Sequence, residues 1–338
     1  MSGPTEITLG SLELLDSPAG ERADLSFEAM GTTVRVQIGA PTRPDLPPAA
    51  EAAAALRAWI ESYDRRLSRF RDESELCELN ADSAPVHEAS RLLRTLVSAA
   101  LEAAEVTGGL VDPTLVSEIE EAGYERSRSS RRDRILGDAL TGAPRRRPGA
   151  PNPGRRWRSI SVNEGRGTIS RPPGLRIDSG GIGKGLAADL AAERLRGYCR
   201  YLVDCGGDIQ VGGAATRLDP YAVAVAHPLD SSLHREVLLG SGAVATSGID
   251  ARIWRRGQGY AHHLLDPSTG EPAWTGVISA TALAPDAVRA EALAKAALLA
   301  GPAGAREHLS DYGGLFVLDD GSHVAVARGA GDRPEVAA

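Results

Sequence analysis

The chain is poor in groups that could cross-link it. Its 338 residues include three cysteines, Cys77, Cys199 and Cys205. These are too few and too scattered for a disulfide framework, and no Cys-x-x-Cys pair occurs. Reduced, buried thiols are the expectation. No run of about 18 apolar residues is present, so no membrane-spanning helix is expected. Residues 1–20 lack a basic segment followed by an apolar run, and they lack a lipid-attachment cysteine. A cytoplasmic location is therefore expected. Nucleotide motifs of the common kinds are missing as well. There is no Gly-x4-Gly-Lys-Ser/Thr loop and no strict Gly-x-Gly-x-x-Gly. Positive charge is not in excess: 38 Lys and Arg stand against 45 Asp and Glu, a net charge of −7. That balance argues against nucleic acid held by bulk electrostatics. Eleven arginines do crowd residues 125–158. They lack the interleaved aromatics that stack bases, so a solvated surface loop is the expectation there, with an acidic partner as the sharper alternative.

What is present reads as globular. Hydrophobic residues make up 42% of the chain and charged residues 25%, and the length can bury a large core. The stretch around which the rest is organised is Ile177-Asp-Ser-Gly-Gly-Ile-Gly-Lys-Gly-Leu-Ala-Ala-Asp189. It leaves an apolar strand (Leu175, Ile177) and enters an Ala/Leu-rich helix, Leu186 to Leu195. Glycines at such a turn allow positive φ and a close approach of another group. The first turn of the helix offers free N–H groups and the positive end of its dipole. Together these attract anions, phosphates above all, and Lys184 adds a full charge. A glycine-rich turn with one lysine is equally a tight connection between packed elements.

The rest of the chain alternates helices with short strands. Phe27 to Ile38 reads as a strand interrupted at Met30-Gly31-Thr32. Helices are predicted over 49–67, 74–79, 90–107, 133–140 and 286–299. Hairpins are predicted for 157–162 with 167–170, and for 315–319 with 323–326 around Asp320-Gly321. Further strands are predicted at 201–204, 209–212, 221–226, 236–239, 242–245 and 277–283. Tight strand pairs mixed with long helices point to an α+β class, with mixed or antiparallel sheets flanked by helices. The expected organisation is a flexible leader (1–24), one domain (25–328) with an Arg/Pro-rich insertion at about 125–156, and a disordered tail (329–338).

Three further stretches have the character of site material: Cys205-Gly-Gly-Asp208, Ala245-Thr-Ser-Gly-Ile-Asp250 and His262-His-Leu-Leu-Asp-Pro-Ser-Thr-Gly270. Upstream stand Met30-Gly-Thr32, Leu67-Ser-Arg-Phe70, Ser74-Glu-Leu-Cys-Glu-Leu-Asn80 and Val111-Asp-Pro-Thr114. In this order and spacing the set resembles the ApbE-like flavin transferases over about residues 27–320. The resemblance implies an ApbE-like fold with FAD in a cleft. It implies transfer of FMN from FAD to a Thr or Ser hydroxyl of an acceptor flavoprotein, with AMP released. It places Met30, Phe70, Leu110, Val111, Asp112, Asp178, Lys184, Thr246, Ser247 and Leu265 against the flavin nucleotide. Each has a plainer reading: core packing for Met30 and Phe70, an ordinary turn for Asp112, a capping role for Asp178.

Such a transfer displaces AMP from a pyrophosphate. It needs charge neutralisation, a positioned nucleophile and often a metal ion. His263 is the favoured general base, since histidine titrates near neutrality. In an extended segment His262 and His263 point to opposite sides, so one of them should face the site. Asp266 either builds an Asx-type turn or lies near the phosphates. The resemblance implies Mg²⁺ (or Ca²⁺) held by an oxygen at Gly181, by an Asp where this chain has Glu291, and by a Thr where it has Lys295. Lys295 cannot ligate a cation while protonated. Metal binding altered through Glu291 and Gly181, a lysine standing in for the cation, hydrolysis of FAD by water, and a flavin carrier without catalysis all remain open at this point.

Overall fold

The structure, a computed structural model, describes residues 22–124 and 135–329. Nearly all of the expected leader, the tail, and five of the arginines (Arg126, Arg128, Arg131, Arg132, Arg134) lie outside the described residues.

Eight strands form the main sheet, and they lie side by side in chain order: Ala23–Ala29, Thr32–Ile38, Tyr201–Cys205, Asp208–Gly212, Gly242–Gly248, Val277–Ala284, Gly314–Leu318 and His323–Val326. Every pairing is antiparallel. The segment from Phe27 to Ile38 is thus two strands and not one. They join through Met30-Gly31, both at positive φ (54° and 68°). A two-residue turn with both φ positive matches the twist of its strands. Asn-Gly is the usual signal for it, and a methionine in the left-handed region carries no such signal.

Alternation along the strands divides the sheet's surroundings. Val34, Val36, Val203, Cys205, Ala243 and Ala245 face the helices, while Leu202, Ile209, Val211 and Val244 pack under the hairpin Tyr221–Ala226/His234–Leu239. The helices Ala49–Leu67, Gly183–Arg194 and Ala287–Leu299 lie on the first face. The last of these is buried on all sides, including Glu291 and Lys295. Its run of alanines explains how neighbours crowd it so closely. Asp189 accepts the Ala287 and Val288 amides (2.7 and 2.9 Å), and Asp286 accepts that of Arg289 (2.8 Å). Three otherwise orphaned donors of the first turn are thereby satisfied.

Gly185 decides how near the two central helices come. A Cβ there would lie 2.5 Å from the Ala287 carbonyl oxygen. Gly185→Ala is therefore expected to push the helices apart and destabilise the fold by about 1–3 kcal/mol, the usual cost of overpacking. Urea denaturation of the variant measures this. An unchanged midpoint would contradict the close approach.

The Arg-rich run departs from expectation in part. A helix occupies Ile135–Thr141, and residues 145–156 run along the surface, half-exposed, but are tied to the body by hydrogen bonds. The Arg147 amide donates to the Trp274 carbonyl (3.0 Å) and the Gly149 amide to that of Leu299 (2.7 Å). Arg146 pairs with Asp319 and Arg156 with Glu118, each at 2.6 Å. Arg156–Ser159 is a 3₁₀ turn, and the expected hairpin shrinks to Ser161–Asn163 and Thr168–Ser170.

Candidate functional site

A cleft of about 400 Å³ opens beside the glycine-lysine turn, a size usual for small-molecule sites. The turn is fixed from several directions. The Asn80 side-chain amide pairs with the backbone of Ile177, donating to its carbonyl and accepting its N–H, both at 2.8 Å. The Asp178 amide donates to Pro113, and the Tyr63 hydroxyl donates to the Gly183 carbonyl (2.8 Å each). Gly181 faces Val111, which would touch any side chain placed there (3.2 Å from an added Cβ).

Below the turn lies a cluster of four charges. Asp208 shares the helix-facing side of the sheet with its cross-strand partner Ala245. It accepts a hydrogen bond from Lys184, at the start of the Gly183–Arg194 helix. Glu291 accepts from Lys295 (2.7 Å) and from the Gly185 amide (2.8 Å), and its carboxylate lies 3.5 Å from the Lys184 ammonium. Both lysines line the cleft, whereas the carboxylates, with side chains 1% exposed, stand behind them. Burial alone would depress Lys184, but Asp208 and Glu291 outweigh it and hold its pKa above the ordinary lysine value. Burial would likewise raise Glu291, but Lys184 and Lys295 hold it below the usual carboxylate range. Asp208 is pushed up to about 7 by burial and by Glu291, against the pull of both lysines. Charges this deep persist only when paired and hydrogen-bonded.

His262 and His263 part company. His262 is fully buried, its ring edge-to-face with Trp274 at 4.8 Å, and burial lowers its pKa to about 3. His263 lines the cleft. Its Nδ1 lies 3.3 Å from the Arg252 carbonyl. A carbonyl only accepts, so this contact favours the tautomer with the proton on Nδ1, which leaves Nε2 as the acceptor. Burial, then Arg252, His262 and Lys295, hold this imidazole well below its ordinary pKa. It is neutral at pH 7 and able to take up a proton.

An aromatic wall completes the cleft. Tyr124 stacks on Trp254 (5.7 Å, 16°) and meets Phe70 edge-on (5.5 Å). The Arg69 guanidinium lies over both Phe70 (4.3 Å) and Tyr124 (5.1 Å) and pairs with Asp178 at 3.1 Å. Asp112 keeps one carboxylate oxygen for Thr114 and has the other buried without a hydrogen-bond partner among the described residues. Burial raises its pKa.

Residues 30–318 match the ApbE family. The chain belongs to the ApbE family. It is 31% identical to the FAD:protein FMN transferase of Treponema pallidum, across 93% of this chain and 88% of that protein. It is 28% identical to the FAD:protein FMN transferase of Vibrio cholerae, across 87% of each. The crystal structure of the ApbE protein of Thermotoga maritima superposes with a TM-score of 0.71 at 26% identity, covering 90% of this chain and 97% of that one. The antiparallel sheet with its helices is thus an ApbE fold.

Set against this ApbE cleft, the residues singled out in the sequence fall into two groups. Met30, Phe70, Leu110, Val111, Asp112 and Asp178 line it, as do Gly181, Lys184, His263 and Leu265. Thr246, Ser247, Asp266 and Glu291 do not. Thr246 lies on the sheet face away from the helices, its hydroxyl 2.9 Å from that of Thr281, and Ser247 is buried on the other face. Asp266 is used locally. One of its oxygens accepts from the Ser268 amide and hydroxyl and from the Ala150 amide (3.0, 2.8 and 3.0 Å), which is the turn-building role and not a place beside phosphates. Four side chains of the wall escaped the sequence reading: Arg69, Tyr124, Arg252 and Trp254. Arg69 alone carried a signal, through its place in Leu67-Ser-Arg-Phe70.

The residues do not fit a divalent metal at the position the ApbE resemblance implies. Mg²⁺ wants six oxygens at about 2.0–2.1 Å. Both Glu291 oxygens are already engaged, one by an ammonium. Among the described residues no group of three His, Cys, Asp or Glu could hold a metal ion. The amides of Gly183 and Gly185 are taken too, by the Ser179 carbonyl and by Glu291. Attraction for a phosphate therefore falls to the cations that line the cleft, Lys184 and Lys295 together with Arg69 and Arg252.

Among the described residues no helix is long and apolar enough to cross a membrane.

Proposed function

We propose that this protein transfers the FMN moiety of FAD to a Thr or Ser hydroxyl of an acceptor flavoprotein and releases AMP. One observation carries the reading: His263, its Nδ1 turned to the Arg252 carbonyl, shares a cleft with the Lys184 and Lys295 ammonium groups. In the step, the acceptor oxygen forms a bond to the phosphorus of the FMN half. The bridging P–O bond to AMP breaks, and the hydroxyl proton passes to His263 Nε2. Lys184 and Lys295 balance the charge that gathers on the pyrophosphate, as preorganised donors do in phosphoryl transfer. Phe70, Tyr124 and Arg69 offer flat surface to an isoalloxazine ring. The free Asp112 oxygen complements an imide N–H of that ring.

The test is co-expression with candidate acceptor flavoproteins that offer a Thr or Ser hydroxyl, in a host without its own transferase. In-gel flavin fluorescence reads covalent FMN, and AMP is quantified on purified protein with FAD, with and without the purified acceptor. Labelled acceptor supports transfer. AMP and free FMN without labelling would replace transfer by hydrolysis. FAD binding without AMP would leave a carrier.

A further inference from the structure

We propose that the Lys295 ammonium serves as a built-in cation, so that this chain binds FAD and cleaves its pyrophosphate without a divalent metal. The cleavage half of the inference rests on the FMN-transfer reading, and the binding half does not.

The geometry supports it in three ways. First, the carboxylate best placed to hold a cation already holds one: Lys295 donates to Glu291 at 2.7 Å, one helical turn away on the same buried helix. The pair is set by i, i+4 spacing, so it is in place before any ligand arrives. Second, the four charges balance. Within this cluster each carboxylate already has an ammonium, Asp208 that of Lys184 and Glu291 that of Lys295. A metal would have to expel Lys295 into a wall only partly open to water, beside Lys184 and Arg252, which also line the cleft. Third, the layering points the right way. An ammonium has three donors. Among the described residues Lys295 gives one, to Glu291. Two remain on a residue that lines the cleft. The phosphate oxygens of FAD would receive these, and the carboxylates behind them keep the ammonium fixed.

No oxidant or co-reactant is needed. The acceptor hydroxyl supplies the nucleophile, His263 takes its proton, and AMP departs with the bridging oxygen. Lys295 touches the pyrophosphate throughout and stays protonated.

The experiment uses the full chain, stripped with EDTA and checked for metal content by mass spectrometry. FAD affinity is read from flavin fluorescence on the chain alone, and AMP release is measured with an acceptor flavoprotein present, each across a Mg²⁺ titration. The native chain is expected to bind FAD with an affinity that changes less than about twofold on adding Mg²⁺, and to release AMP in EDTA. Lys295→Thr should bind FAD about tenfold more weakly without metal, a single lost ionic contact. Its AMP release should fall on the order of 100-fold, and millimolar Mg²⁺ should restore both. Lys295→Arg, which keeps the charge, should stay insensitive to Mg²⁺ and guards against a Thr variant that fails to fold. Mg²⁺-dependent FAD binding by the native chain, or one tightly bound metal per chain, would overturn the inference. Metal-independent FAD binding with no AMP at any Mg²⁺ concentration would instead count against the transfer reading and leave the built-in cation standing.

Discussion

Replacing His263 with alanine is expected to slow FMN transfer on the order of 10²–10⁴-fold, the usual contribution of a positioned general base. FAD affinity should change little, because nothing in the proposed step asks His263 to bind the nucleotide. The two effects separate in single-turnover kinetics against flavin fluorescence titration. The pH profile of the native chain gives a second check. Burial, Arg252, His262 and Lys295 lower the His263 pKa. The sign follows: with a depressed pKa, the neutral, proton-accepting form persists as pH falls, and is lost only below the usual histidine range near 6.5. The rate attributable to His263 should therefore hold steady between about pH 7.5 and 6. A fall with a midpoint near 6.5 would show an ordinary, solvent-facing imidazole and would remove His263 from the role.

The second large effect concerns stability. Lys184→Met keeps the length of the side chain and deletes its charge. Asp208 and Glu291 would then lie buried with only Lys295 between them. Breaking a buried ion pair from one side costs about 3–5 kcal/mol. Lys184 retains some exposure, 22% of its side chain, so the lower end is expected. Urea denaturation should show the loss. The double variant with Asp208→Asn should recover part of it, because the stranded carboxylate is gone and the two sites are coupled. If Lys184→Met alone is as stable as the native chain, water screens the cluster and the buried-charge account fails.

How much of this was legible depended on how local each signal is. The helices at Ala49–Leu67 and Ala287–Leu299 carry their own composition, the second also its Asp286 cap, and both fall where the sequence puts them. The hairpin at Asp320-Gly321 announces itself through its turn dipeptide. The hairpin at Met30-Gly31 does not, since nothing about methionine marks positive φ. The segment 145–156 is exposed as its arginines and prolines suggest, but its anchoring to the body leaves no mark in the sequence. Its partners are carbonyls of Trp274 and Leu299 and the carboxylate of Asp266, all more than a hundred residues away. The site shows the same divide. Glu291 and Lys295 stand one turn apart in sequence, so their pairing could be anticipated. The Lys184–Asp208 contact needs a helix start to meet a strand, and only the folded chain supplies that meeting. The resemblance implies that Thr246 and Ser247 both meet the nucleotide, yet adjacency on a strand sends them to opposite faces.

The order of strands across the main sheet has a kinetic consequence. Neighbouring strands are separated by a turn, by an inserted hairpin or by a pair of helices, with one exception. Thr32–Ile38 pairs with Tyr201–Cys205. That seam closes a loop of roughly 160 residues, and closure entropy rises with loop length. The six strands from Tyr201 onward can zip along short separations, while the Ala23–Ala29/Thr32–Ile38 pair must be gathered from far away. In pulse-labelled hydrogen exchange during refolding, amides of 201–205, 208–212 and 242–248 are expected to gain protection before those of 32–38. Simultaneous protection on both sides of the seam would mean that the helices of the long insertion assemble first and deliver the N-terminal pair to its place.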